Sequence, residues 1–330
     1  IFDLAKNTNT LFILVSEKER NPEAEYLSDG VITLKKENIE NRYLRSLVIE
    51  KLRGVDIRNP IYYFTLKDAH FKYFDVYPFT LPMLKIIEYH PPINDGEGTK
   101  FHENHMFSTG SASFDKILGG YQKGSFIVFY SKGDVSWSNV LDIVGHTSEN
   151  FLVQDGAVLL IPMAGFSPRF FHRQFARLVG KEKFENNCIV LMPDVQTDES
   201  TMWLRQLSTK PGLAYEQILT EYTNLSEKYH RVLVLIGFDT LETYFGPQQA
   251  EKIATKIISH IKLDQNIVFG LTCDESQIQK KIKRNSDYLF TVFNREGKLF
   301  LYGVHPATNI INVTVDTSGP HPLTKYTEVL

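Results

Sequence analysis

The densest group of side chains that could contact phosphate lies between residues 279 and 285. Four cations fall within five positions there: Lys280, Lys281, Lys283 and Arg284. Clustered Lys and Arg neutralise backbone phosphates, so the run is a candidate nucleic-acid contact. Few aromatic residues are interleaved for base stacking, and the net charge of −3 adds no global attraction for a polyanion. The run predicts either a local phosphate patch or an ordinary solvated face.

Histidine and cysteine, the other residue types capable of chemistry, form no convincing site. His102 and His105 are three positions apart, and no further ligand follows at a spacing typical of zinc sites. Cys188 and Cys273 are the only cysteines, and each borders an apolar run where a buried reduced thiol is expected. We therefore expect no metal site and no disulfide framework. A reducing, cytoplasmic compartment follows from this cysteine usage.

The composition is that of a globular protein with real cores, at 42% hydrophobic and 23% charged residues. The longest apolar stretches, such as residues 157–166, fall far short of the roughly 18 residues that a membrane span requires. We therefore expect no membrane partner. A length of 330 residues favours two domains.

Short apolar runs alternating with amphipathic segments predict an α/β fold around a mainly parallel sheet. Five runs indicate buried strands: residues 126–130, 157–161, 188–192, 232–236 and 267–271. Three segments between them indicate helices: residues 169–178, 214–229 and 247–261. Right-handed crossovers would then place helices on both faces of the sheet, giving three layers.

The first eighty residues look like the closing part of a second α/β domain. An apolar run, Leu11–Ser16, predicts a strand, and residues 31–34 and 43–49 predict an antiparallel hairpin. One helix and a hairpin would struggle to bury a core alone, and the chain begins at Ile1 without Met, so we expect part of this domain to precede it. Turn residues between positions 79 and 107 mark the boundary.

An internal repeat relates the two parts of the chain. Leu14, then Ser28-Asp29, then residues 51–54 form one pass, and Leu271, then Ser286-Asp287, then residues 300–303 form the other. From Ser28 to the closing glycine is 26 positions in the first pass, against 17 from Ser286 in the second, so the second hairpin would be shorter. The repeat favours two related domains.

The sequence from Ser108 to Gly120, STGSASFDKILGG, resembles the opening of KaiC-like ATPases of the RecA superfamily. There a TG-x-x-x-hydrophobic-D-x-hydrophobic-L-GG run leads into the first strand of the nucleotide-binding sheet. The resemblance implies a RecA-like P-loop NTPase fold with a terminal β-hairpin. It assigns residues 1–80 to the end of a first RecA-like domain, 81–107 to a linker and 108–330 to a second RecA-like domain.

The second domain lacks the residues of a working phosphate loop. Such a loop reads G-x-x-x-x-G-K-[ST], with glycines that wrap the phosphates, a Lys on the β and γ oxygens and a hydroxyl on Mg²⁺. This register assigns the four fixed positions to Lys132, Trp137, Ser138 and Asn139, none of which matches. Gly133 and Ser136 lie between those positions. A helix N-terminus supplies only about half a positive charge, which cannot replace the missing Lys and Mg²⁺.

The other catalytic positions implied by the resemblance are also changed. After the next strand the family carries an acidic pair, where this chain has Gly165-Phe166. The strand at residues 232–236 would be followed by an Asp that assists Mg²⁺, and Gly237 stands there instead. Asp239 is a partial substitute at most, and we expect it, with Thr240, to cap the following helix. The second domain is therefore predicted to be a pseudo-ATPase.

The resemblance gives Lys51 and Arg53 a role across a subunit interface. In ring-forming members the K-x-R of the terminal hairpin reaches the γ-phosphate held by the neighbouring subunit, where cations stabilise transferring charge. The alternative is a solvated strand face. The second copy has Phe300-Leu-Tyr302 at this place, which agrees with an inert site.

Three functional hypotheses follow. The first is a regulatory or scaffolding protein whose second domain binds partners or drives homo-oligomerisation, such as a ring, with no cofactor of its own. Any ATP and Mg²⁺ would then belong to the first domain. The second is a ring-forming ATPase acting on DNA in recombination or repair through the basic run. The third is an oligomer that assembles without any nucleotide.

Overall fold

The computed structural model describes residues 7–8, 10–17, 22–77, 93, 105–133, 135–195, 201–316 and 322–330. The chain forms two compact units. The first comprises residues 1–74 together with Val329 and Leu330, and the second comprises residues 75–328. The predicted domain limits stay predictions, because most of the proposed linker lies outside the described residues. No helix in the described part of the chain is long and apolar enough to cross a membrane.

The first unit is built on a four-stranded antiparallel sheet in the order β1-β2-β3-β4. Its elements are helix α1 (Pro22–Leu27) and strands β1 (Gly30–Ile39), β2 (Arg42–Leu52), β3 (Ile61–Thr65) and β4 (Lys72–Tyr73). Glu40 and Asn41 join β1 to β2 with φ values of 49° and 64°, the left-handed conformations that a tight hairpin turn requires. The predicted hairpin is confirmed.

The predicted strand at Leu11–Ser16 is wrong for this structure. Residues 10–17 form no strand, and each is exposed. A strand exists only through hydrogen bonds to a neighbour, and no described strand pairs with this segment. An apolar run by itself therefore does not make this segment a strand.

The second unit contains a ten-stranded sheet in the order β10-β9-β8-β11-β12-β7-β13-β14-β15-β16. Neighbours from β10 to β13 run parallel, and β13 to β16 alternate in direction. The ten strands are β7 (Phe126–Ser131), β8 (Ala157–Ile161), β9 (Cys188–Met192), β10 (Leu204–Gln206), β11 (Val232–Gly237), β12 (Ile267–Cys273), β13 (Tyr288–Arg295), β14 (Lys298–His305), β15 (Ile311–Asp316) and β16 (Leu323–Glu328). A small ladder joins β5 (Met106–Phe107) to β6 (Tyr121–Gln122).

Helices cover both faces of this sheet, as the alternating pattern predicts. They are α2 (Ala112–Leu118), α3 (Trp137–Val153), α4 (Pro168–Val179), α5 (Lys181–Asn187), α6 (Pro211–Lys228), α7 (Phe238–Leu263) and α8 (Gln279–Asn285). Side chains of α2 to α5 form one apolar core with alternate strand residues, and those of α6 to α8 form a second core with the others. The three-layer α/β arrangement is compatible with a RecA-like fold.

The strand order places the turns of interest at one edge of the sheet. In the parallel part, the carboxyl ends of β7, β8, β11 and β12 share an edge, where open α/β sheets bind their ligands. Strand β12 separates β7 from β11. The turn after β7, the loop after β8 and the start of α7 therefore belong to the same edge.

Candidate functional site

The turn after β7 is closed by the protein's own hydrogen bonds. Ser131 Oγ donates to the carbonyl of Val135 at 3.2 Å, and the amide of Lys132 donates to the carbonyl of Val292 at 2.9 Å. Ser136 then caps α3, because its Oγ accepts from the amide of Asn139 at 3.4 Å. The amides of Lys132 and Asn139, two donors near the helix start, are thus bonded within the protein.

Three of the four fixed positions of a phosphate loop, Trp137, Ser138 and Asn139, carry no charge and lie at the start of α3. Trp137 is half-buried and packs against the core. Ser136 Oγ lies 2.8 Å from Ser138 Oγ and donates to Asn139 Oδ1 at 2.7 Å. The large indole and the mutually bonded polar groups supply neither a cation nor a bare glycine backbone.

Asp274 places a carboxylate at this turn, which sequence reasoning missed. Its oxygens accept hydrogen bonds from the Tyr130 hydroxyl and, at 3.0 Å, from the amide of Gly133. The Tyr130 bond, then the Gly133 bond and the nearby Lys283 and Lys132, hold the pKa of Asp274 below its ordinary value. Asp274 is 141 positions from Gly133 in the chain, so only the β7–β12 pairing brings them together.

Tyr130 also receives a cation from the basic run. Lys283 Nζ lies 3.5 Å from the centre of the Tyr130 ring, and Lys281 Nζ lies 2.6 Å from Glu251 Oε2. Lys280 and Arg284 are exposed on α8. Lys281 and Lys283 therefore make contacts within the protein, which reduces the positive charge that the basic run offers to phosphate.

Gly237, at the position of the expected Mg²⁺-assisting Asp, is in tight contact with the loop after β8. A Cβ on Gly237 would lie 2.7 Å from the Met163 nitrogen and 2.7 Å from both the carbonyl carbon and oxygen of Pro162. These atoms belong to the backbone directly after β8, so they cannot rotate away as a side chain would. No residue larger than glycine fits without moving the strand ends.

Asp239 anchors the same loop instead of facing open space. Its Oδ2 accepts from the amide of Ala164 at 3.0 Å, and its Oδ1 accepts from the amide of Thr240 at 2.9 Å. Burial raises the pKa of Asp239, and these backbone hydrogen bonds oppose that shift. The residue lies in the first turn of α7, whose cap position is Gly237. Asp239 is therefore not the helix cap that the sequence predicted, because the cap position is Gly237.

Gly165, at the place of the acidic pair, lies in this anchored loop. It has a φ of 78° and open space around its Cα. A carboxylate would therefore fit sterically there only at the cost of a left-handed backbone, which side chains bearing a Cβ rarely adopt. Phe166 is half-buried and belongs to the core surface.

The motif that carries the family resemblance is held by a network of buried hydrogen bonds. Asp115 accepts from Ser108 Oγ at 2.5 Å and from the Thr109 amide at 2.8 Å. The Thr109 carbonyl lies 2.7 Å from His146 Nδ1 on α3, and His146 Nε2 contacts the hydroxyl of Tyr326 on β16. A Cβ on Gly110 would lie 2.2 Å from the His146 carbonyl oxygen, so the close approach requires glycine. The motif positions elements whether or not a nucleotide binds.

Lys51 and Arg53 in the first unit contact the end of α1. Lys51 Nζ donates to the carbonyls of Glu25 at 2.8 Å and Tyr26 at 3.0 Å. Arg53 donates to the Tyr26 carbonyl at 2.8 Å and lies 3.4 Å from Asp29 Oδ1. Cations commonly satisfy the last carbonyls of a helix in this way. Residues 300–302 of the second unit, at the equivalent place, are buried in β14.

Cofactor ligands are scarce in the described residues. No group of three or more His, Cys, Asp or Glu side chains there is arranged to hold a metal ion. Both cysteines are free thiols, with Cys188 buried and Cys273 half-buried. His102 lies outside the described residues.

The chain is similar to two archaeal proteins over nearly its whole length. Protein GvpD2 of Halobacterium salinarum (strain ATCC 700922 / JCM 11081 / NRC-1) is 26% identical over 345 positions, which cover 99% of this chain and 67% of GvpD2. Protein GvpD1 of the same organism is 25% identical over 395 positions, covering 99% of this chain and 70% of GvpD1. No family model matches the chain.

Proposed function

We propose that this chain is a regulatory RecA-like protein whose second domain is a pseudo-ATPase. In this proposal residues 108–330 provide a folded platform that binds protein partners or drives homo-oligomerisation in the cytoplasm. The domain uses no ATP or Mg²⁺ of its own. Any nucleotide belongs to the first domain, where Lys51 and Arg53 would act on a neighbour's phosphate after leaving the carbonyls of α1.

The contact of Gly237 with the Pro162–Met163 peptide carries this proposal. Reduced activity could follow from one lost side chain, but here the backbone itself occupies the space that a metal-assisting carboxylate needs. Asp239 cannot substitute while both its oxygens bind backbone amides. The site thus lacks room for a metal ligand as well as the ligand.

The electrostatics of the turn after β7 add independent support. The Asp274 carboxylate uses the Gly133 amide and the Tyr130 hydroxyl, and its negative charge offsets Lys132 and Lys283 nearby. A helix N-terminus contributes only about half a positive charge, and in α3 it is already capped by Ser136. An incoming triphosphate would meet the Asp274 carboxylate, and the amides of Lys132, Gly133 and Asn139 already have acceptors within the protein.

The similarity to GvpD2 and GvpD1 extends over 99% of the chain and so includes both units. The alternative, an ATPase that acts on DNA, would use the basic run of α8. The pairing of Lys281 with Glu251 and the stacking of Lys283 on Tyr130 do not favour it.

Calorimetry with MgATP tests the proposal on the intact chain. No G-x-x-x-x-G-K-[ST] sequence occurs in the 330 residues, and we expect no heat of binding. Should binding occur, Ser138→Asp locates it, because the added charge repels phosphate only at the start of α3. Micromolar binding that Ser138→Asp abolishes would overturn the proposal. Binding that survives this change would contradict the expectation of no heat on this chain, although it would not use the start of α3.

A variant with the loop residues restored provides the matched control. Trp137→Gly, Ser138→Lys and Asn139→Thr together supply a glycine, a lysine and a hydroxyl at three of the fixed positions. We expect this variant to show no ATP hydrolysis, because Gly237 still leaves no space for the metal ligand. Gel filtration of the unaltered chain should give one molecular mass with and without ATP.

A further inference from the structure

Helix α4 carries a row of arginines on the side turned away from the core. Arg169, Arg173 and Arg177 are exposed and four residues apart, so they follow one another along the helix at intervals of about 6 Å. Phe171 and Phe175, each two positions after an arginine, are buried. Two positions correspond to a rotation of about 200° on an α-helix, so the arginine row lies opposite the buried row.

No carboxylate neutralises this row within the part of the chain that the structure describes. None of the three arginines takes part in a salt bridge there. By contrast, Lys181 Nζ and Lys183 Nζ on α5 lie 3.9 Å from Glu185 Oε1 and 2.8 Å from Asp155 Oδ1. The sequence contains no acidic residue between Asp155 and Glu182. The positive charge of α4 is therefore available to an anion from outside the domain.

An apolar row runs beside the arginines on the same helix. Phe170 is 49% exposed, and Leu178, eight positions later, is half-buried. The guanidinium carbon of Arg173 lies 5.8 Å from the centre of the Phe170 ring, so the two rows are neighbours. Arginine and aromatic side chains are enriched where proteins contact each other. The surface thus combines unneutralised positive charge with exposed apolar area.

We infer that this face of α4 binds an acidic amphipathic helix of a partner protein. Carboxylates at four-residue intervals on that helix would face the arginine row, and apolar side chains beside them would pack on Phe170 and Leu178. A helix presents two such adjacent rows on one face, whereas a strand sends alternate side chains to opposite faces. The inference rests on the proposed function, because it names the surface through which the second domain would bind a partner.

The charge of the whole chain favours a short acidic helix over a nucleic acid. The net charge is −3, so the surface away from α4 offers no general attraction for a long polyanion. A helix with three carboxylates needs only the local arginine row. The exposed ring of Phe170 also gains from burial against an apolar side chain, which a phosphate backbone does not supply.

Fluorescence anisotropy with labelled peptides tests the inference on the 330-residue chain. The probe is an alanine-based helical peptide with three glutamates at four-residue intervals and leucines beside them. The control peptide has glutamine in place of each glutamate. We expect the glutamate peptide to bind with an affinity that falls as salt is added, and the glutamine peptide to bind at least about tenfold more weakly.

Variants of α4 locate the binding on the protein. Arg173→Glu should weaken binding of the glutamate peptide about tenfold, because it removes one ion pair and adds a repulsion. Lys280→Glu, the same charge change at an exposed position of α8, should leave binding unchanged. Phe170→Ala should weaken binding without altering its salt dependence. Arg177→Gln is a milder second variant, and circular dichroism should show that every variant folds, because each altered side chain is exposed.

Four results would overturn the inference. The first is no binding of the glutamate peptide at low salt, and the second is equal binding to the unaltered chain and to Arg173→Glu. The third is tighter binding of a short DNA duplex or of phosphatidylserine vesicles than of the peptide, lost in Arg173→Glu, which would make the row a phosphate or lipid surface. The fourth is a smaller molecular mass of Arg173→Glu in gel filtration, which would make a second copy the occupant.

The inference and the proposed function can fail separately. Calorimetry with MgATP reports on the turn after β7, and the peptide titration reports on the exposed face of α4. Binding of MgATP would contradict a pseudo-ATPase without changing the peptide result. Failure of the peptide to bind would leave the pseudo-ATPase standing and remove only α4 as its partner surface.

Discussion

Replacing Gly237 with Ala should destabilise the second unit by about 2 kcal/mol, within the 1–3 kcal/mol typical of an overpacked site. The added Cβ would lie 2.7 Å from three backbone atoms of Pro162 and Met163, well inside any van der Waals contact. Gly237 has φ −78° and ψ 107°, which alanine adopts freely, so dihedral strain does not contribute. The whole loss then reports the closeness of the two chain segments.

Denaturant unfolding followed by tryptophan fluorescence measures this loss in the relevant unit. Both tryptophans, Trp137 and Trp203, belong to the second unit, so the signal is not mixed with unfolding of the first. Gly212→Ala is the matched control, because its Cβ meets no atom within 4 Å. Alanine in the first turn of α6 should keep or raise stability, by up to about 1 kcal/mol.

A Gly237→Ala variant within about 0.5 kcal/mol of the unaltered chain, the range of a neutral surface change, would refute the reasoning. The loop after β8 would then be able to yield, and a carboxylate at position 237 would have room. The companion change Gly237→Asp should be at least as destabilising, even though it restores the residue type expected for Mg²⁺ assistance.

Two further predictions concern charges in each unit. Burial, and then the charge of Asp142, raises the pKa of Glu149 to about 8 from an ordinary value of 4.5. The folded state therefore binds this proton more tightly than the unfolded state does. The stability that this group contributes is lost as the pH rises from about 4.5 to about 8. Glu149→Gln should thus be more stable than the unaltered chain at pH 8 by roughly 1–3 kcal/mol, and equal to it below pH 4.5 in thermal unfolding, with exposed Glu216→Gln as an inert control. Lys51→Met removes two hydrogen bonds to the α1 carbonyls and should therefore speed amide exchange in residues 22–27. The control Lys35→Met, on β1, should leave that exchange unchanged. Unchanged exchange in Lys51→Met would mean that the cation does not stabilise the helix end.

The sequence predicts much of the second unit because its signals are local. Five apolar runs form parallel strands, and the three helix candidates overlap α4, α6 and α7. The ends of α4 and α6 differ from the predicted ends by one to three residues. Period and turn chemistry suffice for such elements. In α7, the predicted helix at 247–261 matches the segment that follows a kink at Gly246, whose φ of 71° and ψ of 161° are not helical, and a helical segment from Phe238 precedes the kink.

The candidate site could be predicted only in part. The spacing in the sequence shows that the phosphate-loop residues and the Mg²⁺-assisting Asp are absent. The reason that Asp cannot replace Gly237 is a contact with a loop about 75 positions earlier, which the sequence does not show. Asp274 was invisible for the same reason. Leu11–Ser16 shows the opposite limit, because an apolar run favours a strand but does not determine which strand would pair with it.

The buried hydrogen bonds between the Ser108–Asp115 motif, His146 and Tyr326 have a consequence for folding during translation. His146 and Tyr326 are 180 positions apart, and the amide of Tyr326 donates to Ser113 Oγ across 213 positions. Contacts of such long sequence separation form late, because the intervening chain must first be ordered. A ribosome-bound intermediate that lacks β16 would contain the other strands and both helical layers, but not the contacts of Tyr326 with His146 and Ser113. Nascent chains shortened before residue 323 should therefore be more sensitive to protease in the second unit than chains that include β16.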